Sequence, residues 1–272
     1  MRTWKTGIFS NDMAWSSVGD GNKVVIMIPG GPGNPTPGKG FMAKLEAKTF
    51  EPLLSAGYRL VNVARRRNMP HGHSVADMAQ DYADMIAVEF NGRVDLIVGT
   101  SYGGIIAQYL AANHDNCFDN IVILVAACDI SPEKAVDYAF AKSIAEGKTF
   151  AAGAELSKTL FPGARFPWLA RLAGGLMIWL TIKDGQHEYL ASDVMVEAEA
   201  EMQFNSRAIL PKINVPVLLI AGDKDVYFTE ALTLETQMLI PDCQLQMYAD
   251  KGHVEAASDS RAAEDILTFI AR

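Results

Sequence analysis

A serine between two glycines stands where an apolar stretch of the chain gives way to a helical one. The run Gly99-Thr100-Ser101-Tyr102-Gly103 follows apolar residues 94–98 and precedes residues 105–113, which have helical character. A tight strand-to-helix turn of this kind forces the serine backbone into a strained conformation and presents the hydroxyl above the sheet. The pattern therefore predicts that Ser101 is a nucleophile, although a glycine-rich turn with an incidental serine has the same letters.

A serine hydroxyl needs a base, and the side chains that could activate it occur later in the chain. His253 follows the last predicted strand, and Asp225 follows the strand before it. Because parallel strands end at one edge of a sheet, we expect these side chains to meet Ser101 there. We predict that His253 is the general base and then the general acid, and that Asp225 fixes its tautomer. Asp223 and Asp129 remain as competing acids.

Acyl transfer also needs two N–H groups that stabilise the oxyanion of the tetrahedral intermediate. One comes from the residue after the nucleophile, here Tyr102, and the other from a loop after an early strand. Residues 29–33 read Pro-Gly-Gly-Pro-Gly after a predicted strand, and Gly31 is the candidate because Pro32 has no N–H to donate. This run lacks the spacing of a phosphate-binding loop, so no nucleotide is expected.

The elements that must position these residues alternate between short apolar runs and longer amphipathic ones. Strands are predicted at residues 24–28, 59–63, 96–98, 121–126, 217–221 and 244–248. Apolar side chains recur at helical spacing in residues 77–90 and 262–270. The alternation predicts an α/β fold, with a mainly parallel sheet that is covered by helices on both faces.

One segment departs from this alternation. Residues 131–210 show helix after helix, with a break predicted at Gly153 among others, and no convincing strand. We therefore predict a core of residues 1–130 and 211–272 and a helical cap of residues 131–210 above the catalytic face. The cap is apolar on several faces, so Trp168, Leu176 and Trp179 are predicted to line a pocket for an apolar substrate. Packing within the cap, or a homodimer formed through it, would use the same residues.

Composition and charge exclude several classes of protein. The 272 residues carry 24 Lys+Arg and 32 Asp+Glu, a formal net charge of −8, which does not favour binding to nucleic acid. The three cysteines indicate neither a disulfide framework nor a thiolate metal site. His71 and His73 lack a third ligand at metal-binding spacing, and Ser74 is predicted to cap a helix instead. Without a signal sequence or a membrane span, we expect a cytoplasmic protein that acts on a small molecule.

Four runs together resemble the α/β-hydrolase superfamily: residues 29–33, residues 99–103, Gly222-Asp223-Lys224-Asp225 and Gly252-His253. The resemblance extends from about residue 20 to the C-terminus, and residues 65–74 are similar to the family's Arg-Gly-x-Gly-x-Ser loop in degraded form. It implies an α/β-hydrolase fold with an eight-stranded sheet, a Ser-His-Asp triad and no cofactor. Many members have His-Gly where this chain has Pro29-Gly30, so another residue must supply the loop packing of that histidine.

The resemblance leads us to expect a serine hydrolase that cleaves small, largely apolar carboxylic esters through an acyl-enzyme. The Gly-Gly-Pro-Gly run is also similar to that of the proline iminopeptidase group, which makes an aminopeptidase an alternative. Glu197, Glu199 and Glu201 could then hold an amino group, although their alternate spacing favours a solvated helix face. Thioesters, lactones, carbon–carbon bonds and perhydrolysis remain open, as does a ligand-binding receptor on the same scaffold.

Overall fold

In the computed structural model, which describes residues 2–132 and 134–272, eight strands form one sheet. The strands are β1 (Trp4–Ile8), β2 (Met13–Val18), β3 (Lys23–Ile28), β4 (Tyr58–Arg66), β5 (Val94–Thr100), β6 (Phe118–Leu124), β7 (Val217–Gly222) and β8 (Cys243–Tyr248). Their order across the sheet is β1-β2-β4-β3-β5-β6-β7-β8. Strand β2 is antiparallel to both of its neighbours, and the other pairs are parallel.

The helices connect the strands or follow them. They are α1 (Phe41–Thr49), α2 (Glu51–Ser55), α3 (Val75–Glu89), α4 (Tyr102–Asn113), α5 (Lys134–Ala145), α6 (Thr149–Leu160), α7 (Pro167–Gly185), α8 (Leu190–Met202), α9 (Glu230–Leu239), α10 (His253–Ala257) and α11 (Arg261–Ile270). Short 3₁₀ turns occur at Asp115–Cys117 and Leu210–Lys212. Over the part of the chain that the structure describes, no helix is both long and apolar enough to cross a membrane.

All six strands predicted from the pattern are present, as β3 to β8. The apolar pattern missed β1 and β2, which complete the eight-stranded sheet that the family resemblance implied. Strand β1 lies at the edge of the sheet and is mostly exposed, so its sequence shows no apolar run. The predicted cap at Ser74 is confirmed, because its side chain accepts the N–H of Asp77 in a capping box at the start of α3.

The central strands are buried on both faces, and successive residues pack into different cores. In β3, Ile26 and Ile28 join the core that includes α3 and α4, whereas Val25 and Met27 join the core that includes α2 and α11. Strands covered in this way carry apolar side chains along their length. Polar side chains therefore collect where the strands end, and the loops at their carboxyl ends are where a site can form.

Four helices, α5 to α8, lie between β6 and β7. A Cβ atom on Gly153 of α6 would lie 2.4 Å from the carbonyl oxygen of Gly174 in α7, so the two helices approach closely there. The prediction of a helix break at Gly153 is wrong, because the glycine serves close packing between helices rather than a turn. The division of the chain into a core and a cap at residues 131 and 210 stays a prediction.

Candidate active site

The turn between β5 and α4 holds Ser101 in a strained conformation, with φ 53° and ψ −116°. A Cβ atom on Gly99 would lie 2.3 Å from the carbonyl oxygen of Gly103, and one on Gly103 would lie 2.0 Å from that of Ile28. Neither position has room for a side chain, so both flanking glycines are required by the packing. The N–H of Ser101 donates to the carbonyl of Leu124 at 2.9 Å, which ties the turn to the neighbouring strand β6.

The side chains of Ser101, His253 and Asp225 form a continuous hydrogen-bonded relay. His253 Nε2 lies 3.0 Å from Ser101 Oγ, and His253 Nδ1 lies 2.7 Å from Asp225 Oδ2. The other carboxylate oxygen of Asp225 accepts the backbone N–H groups of Tyr227 at 2.9 Å and Phe228 at 3.1 Å. With its proton on Nδ1 facing Asp225, the imidazole can accept the hydroxyl proton of Ser101 at Nε2.

Two aromatic rings pack against the imidazole of His253. The Phe228 ring stacks on it with centroids 5.8 Å apart, and the Tyr227 ring lies tilted with centroids 5.4 Å apart. The backbone N–H groups of the same two residues bind the carboxylate of Asp225, so a single turn after β7 orients both Asp225 and His253. These rings leave 11% of the imidazole side chain exposed, which limits the access of water to its hydrogen bonds.

The competing acids have other partners. Asp129 forms an ion pair with Arg207, with Nη1 2.8 Å from Oδ2, and Asp223 lies 3.4 Å from the ammonium of Lys224. Of the three candidate acids, all of which lie in the described residues, Asp225 is the one that hydrogen bonds to His253. The geometry therefore supports Asp225 as the partner of the imidazole.

The two predicted oxyanion donors are Gly31, in the loop after β3, and Tyr102, directly after the nucleophile. Gly31 has φ +72°, a conformation that favours glycine, and Tyr102 is the first residue of α4. Over residues 2–132 and 134–272, neither N–H donates to a backbone carbonyl, so both are available to a substrate oxygen. A Cβ atom on Gly30 would lie 3.0 Å from Ser101 Cβ, which shows how closely this loop approaches the nucleophile.

A buried ion pair that the sequence analysis missed lies against the same loop. The Nε atom of Arg65 lies 2.8 Å from Glu197 Oε1, and both side chains are at most 1% exposed. Arg65 belongs to the degraded Arg-Gly-x-Gly-x-Ser segment, and that resemblance was the only signal that could have singled it out. Its partner comes from α8, far away in the sequence, so no local pattern could pair them.

The prediction that the glutamates of α8 lie on a solvated face is wrong for two of the three. Glu197 and Glu201 are 0% and 4% exposed, whereas Glu199 is partly exposed and lies 3.6 Å from His71. The physical reason is that α8 packs against both α5 and α3, so little of its circumference meets solvent. Glu197 and Glu201 are four residues apart, so they lie on the same face of α8, and that face is buried.

Two further carboxyl groups lie beside the relay. Asp137 Oδ1 accepts a hydrogen bond from the Tyr227 hydroxyl at 3.1 Å, and burial raises the pKa of Asp137 to about 6. Glu201 Oε2 is buried and has no hydrogen-bond partner in the described residues. Burial, and then the negative charge of Asp137, raise the pKa of Glu201 well above its ordinary value. The site thus contains acidic groups that the proton relay does not use.

The three predicted pocket residues lie on α7, where their side chains are turned toward solvent. Trp168, Leu176 and Trp179 are 67%, 48% and 39% exposed. They belong to an apolar stripe that continues through Leu169, Leu172 and Leu180 along the helix. Their place in a substrate pocket stays a prediction.

Residues 25–266 match the alpha/beta hydrolase family, in agreement with the sheet order and with the strained turn at Ser101 between β5 and α4. The chain belongs to the α/β-hydrolase family. This α/β hydrolase is 23% identical over 200 residues to a Yersinia enterocolitica protein named as a carbamate hydrolase, RutD, which covers 73% of this chain and 70% of that protein.

Solved structures share the fold of this α/β hydrolase over nearly its whole length. A bromoperoxidase from Bacillus anthracis has a TM-score of 0.74 at 19% identity, covering 98% of this chain and 100% of that one. The esterase EaEST from Exiguobacterium antarcticum has a TM-score of 0.73 at 17% identity, covering 98% of this chain and 99% of that one. Because such distant likeness shows the fold alone, the reaction is inferred from the site.

Proposed function

We propose that this α/β hydrolase cleaves small carboxylic esters through an acyl-enzyme intermediate, with Ser101, His253 and Asp225 as its catalytic residues. The observation that carries the proposal is the relay of two hydrogen bonds, 3.0 Å and 2.7 Å long, that ends on the strained serine. A nucleophile, a base in contact with it and a third group that orients the base form the arrangement that activates serine in hydrolases.

The reaction follows from the positions of these groups. Ser101 Oγ attacks the ester carbonyl carbon while its proton passes to His253 Nε2. The negative oxygen that results accepts hydrogen bonds from the N–H groups of Gly31 and Tyr102. The intermediate then expels the alcohol, which takes the proton from His253, and leaves an acyl group on Ser101. A water molecule, deprotonated by His253, attacks that acyl group, and collapse of the second intermediate releases the carboxylic acid and regenerates the serine.

The ester is our proposal from the site; one structure with the same fold is named as an esterase, whereas two relatives found by sequence are named as carbamate hydrolases. An apolar acyl or alcohol group stays a prediction from the sequence of α7, because Trp168 and Leu176 are turned toward solvent. The serine in the turn between β5 and α4 supports an acyl-enzyme, because its hydroxyl can take up an acyl group that water then removes by hydrolysis.

The test is the pre-steady-state hydrolysis of p-nitrophenyl acetate and butyrate. An acyl-enzyme predicts a burst of p-nitrophenolate equal to the enzyme concentration, followed by slower turnover. A fluorophosphonate probe should abolish the burst, and mass spectrometry should find the probe on the peptide that contains Ser101. Turnover that survives the probe, or a label on another residue, would count against the mechanism. Tight binding of an ester with negligible turnover would instead favour a receptor.

A second candidate function is favoured by one specific observation, the unpartnered carboxylate oxygen of buried Glu201. Glu197 is paired with Arg65, whereas the negative charge of Asp137 adds to burial in raising the pKa of Glu201, so ionisation of Glu201 is unfavourable without a cation. A desolvated carboxylate of this kind is stabilised by a cation, and a substrate ammonium group would supply one. Hydrolysis of an amide or ester next to a free amino group, as in an aminopeptidase, fits these carboxyl groups.

Glutamine in place of Glu201 keeps the shape of the side chain and removes its charge. We expect Glu201→Gln to raise the melting temperature at pH 8 by on the order of a few degrees, because the wild type holds a desolvated carboxyl group there. The raised pKa fixes the sign: the wild type has its full stability below the ordinary pKa and loses it as the pH rises through the raised value. Melting curves at pH 4.5 and pH 8 should therefore show a gain only at the higher pH, whereas partly exposed Glu199→Gln should show none.

The same variant separates the two candidate functions. If Glu201 binds an ammonium group, Glu201→Gln should raise KM for alanine p-nitroanilide or an alanine ester at least about tenfold, with no change for the N-acetylated substrates. A wild type that prefers the N-acetylated or butyryl substrates, with no effect of the variant, would exclude the aminopeptidase and leave the esterase.

A further inference from the structure

The loop of residues 29–33, which we call the oxyanion loop, is held by one side chain. Arg65 Nη1 donates to the carbonyl of Pro29 at 2.8 Å, and Arg65 Nη2 donates to the carbonyls of Gly31 at 3.0 Å and Gly33 at 2.6 Å. Three carbonyls of a five-residue loop thus converge on a guanidinium that is 1% exposed.

Glu197 holds the guanidinium from the other side. Its Oε1 accepts from Arg65 Nε at 2.8 Å, and its Oε2 accepts from Arg65 Nη2 at 3.1 Å and from the N–H of Gly33 at 2.5 Å. Burial alone would lower the pKa of the Arg65 guanidinium, but the charge and hydrogen bonds of Glu197 raise that pKa above its ordinary value. The pair is rigid because its bidentate geometry and its loop contacts all constrain the same two groups.

Both predicted oxyanion donors are in contact with this pair. The guanidinium of Arg65 lies 4.9 Å from the centroid of the Tyr102 ring, and the Tyr102 hydroxyl donates to the backbone carbonyl of Glu197 at 2.8 Å. The N–H of Gly31 belongs to the peptide unit between Gly30 and Gly31, and the carbonyls of the peptide units on either side of it are bonded to Arg65. The orientation of the Gly31 N–H is thus set by its neighbours on both sides.

We propose that Arg65 and Glu197 are a positioning pair that fixes the N–H groups of Gly31 and Tyr102 in the geometry of an oxyanion hole. This inference rests on the proposed function. Glycine at positions 30, 31 and 33 allows the loop many backbone conformations, so an unanchored loop would present its donor in the wrong place for much of the time. Preorganised donors are effective because they need no rearrangement as the negative charge develops.

The pair also connects helix α8 to the chemistry. Glu197 lies one turn after Asp193, whose carboxylate accepts the N–H groups of Asn68 at 3.1 Å and Met69 at 2.9 Å. Helix α8 is therefore bonded both to the segment after β4 and to the oxyanion loop. A displacement of α8 would therefore move the oxyanion loop.

The first test replaces Glu197 with glutamine, which keeps an acceptor but leaves the guanidinium without its counter-charge. We expect kcat for p-nitrophenyl butyrate to fall by about 10²-fold, the usual cost of a misplaced or missing oxyanion donor, with KM within about threefold of the wild type. The affinity for a trifluoromethyl ketone, which forms the tetrahedral adduct, should fall by the same factor as kcat/KM. The matched control is Glu199→Gln on the same helix, which should change none of these quantities.

The second test removes both charges, because an unpaired buried guanidinium destabilises the fold. The double variant Arg65→Met, Glu197→Leu should fold and melt at a higher temperature than Glu197→Gln, since it leaves unpaired carbonyls in the loop but no unpaired buried charge. Its kcat should nevertheless stay about 10²-fold low, because the loop has lost its anchor. The double variant would then recover stability relative to Glu197→Gln without recovering kcat. If the ion pair served only to stabilise the fold, kcat would recover together with the stability.

The outcomes distinguish this inference from the proposed function. A folded double variant with kcat and analogue affinity within about threefold of the wild type would overturn the positioning role, as would a change confined to KM. If Ser101→Ala is fully active, the proposed function fails and the positioning role fails with it. If Ser101→Ala is inactive and the double variant is fully active, the positioning role alone fails.

Discussion

Ser101→Ala is expected to reduce kcat for p-nitrophenyl butyrate by about 10⁴- to 10⁶-fold, which is the loss of kcat that removal of the nucleophile causes in serine hydrolases. The variant cannot form an acyl-enzyme, because it lacks the hydroxyl that lies 3.0 Å from His253 Nε2. A small residual rate over the uncatalysed reaction should remain, since the oxyanion donors and the binding surface are unchanged. Steady-state and burst kinetics measure the loss, and the burst should disappear altogether.

The control is Ser192→Ala, which removes the hydroxyl of an exposed residue that donates to the carbonyl of Tyr189, just before its own helix. That variant should hydrolyse the ester at the wild-type rate. Circular dichroism should show that both variants are folded. An active and folded Ser101→Ala would refute the assignment of the nucleophile, and with it the acyl-enzyme mechanism.

Asp225→Asn is expected to lower kcat by about 10⁴-fold, through the tautomer of His253. The backbone N–H groups of Tyr227 and Phe228 both donate to Oδ1 of Asp225, so the amide oxygen of asparagine must stay on that side. The amide nitrogen then faces His253 and donates to Nδ1, which moves the imidazole proton to Nε2. In that tautomer the imidazole cannot accept the proton of Ser101. Because the defect is a misplaced proton rather than a lost contact, KM should change little.

Asp129→Asn is the matched control for this prediction. Its carboxylate pairs with Arg207 and lies 4.0 Å from Lys134, so we expect kcat within about threefold of the wild type and at most a small loss of stability. Parallel measurements of kcat on the two variants decide between the two acids. A large loss in Asp129→Asn together with an active Asp225→Asn would reverse the assignment.

Much of the fold and the candidate relay could be predicted from local patterns in the chain. The turn that holds Ser101 can be recognised from neighbouring residues, because the turn leaves no room for a side chain at Gly99 or Gly103. Strands β3, β5, β6 and β7 each contain a continuous apolar run, because both faces of the central sheet are covered. Once the sheet is parallel, strand ends meet at one edge, and so Asp225 and His253 could be expected near Ser101. Their catalytic roles remain predictions.

Long-range contacts decided the features that no local pattern contains. Edge strand β1 is mostly exposed, so its sequence has no apolar run. The ion pair between Asp129 and Arg207 could be found only from the tertiary structure. Glu197 and Glu201 were expected on a wet helix face, but the packing of α8 against other helices places them in the interior.

The support of the oxyanion loop shows the same division between local and distant information. The substitution of Pro29-Gly30 for His-Gly is visible in the sequence and indicates that some other group must brace the loop. That the group is Arg65, bonded to a glutamate 132 positions further along, follows only from the tertiary structure. A charged side chain is expected in water unless a counter-charge is buried with it, and the position of that counter-charge is decided by how the helices pack.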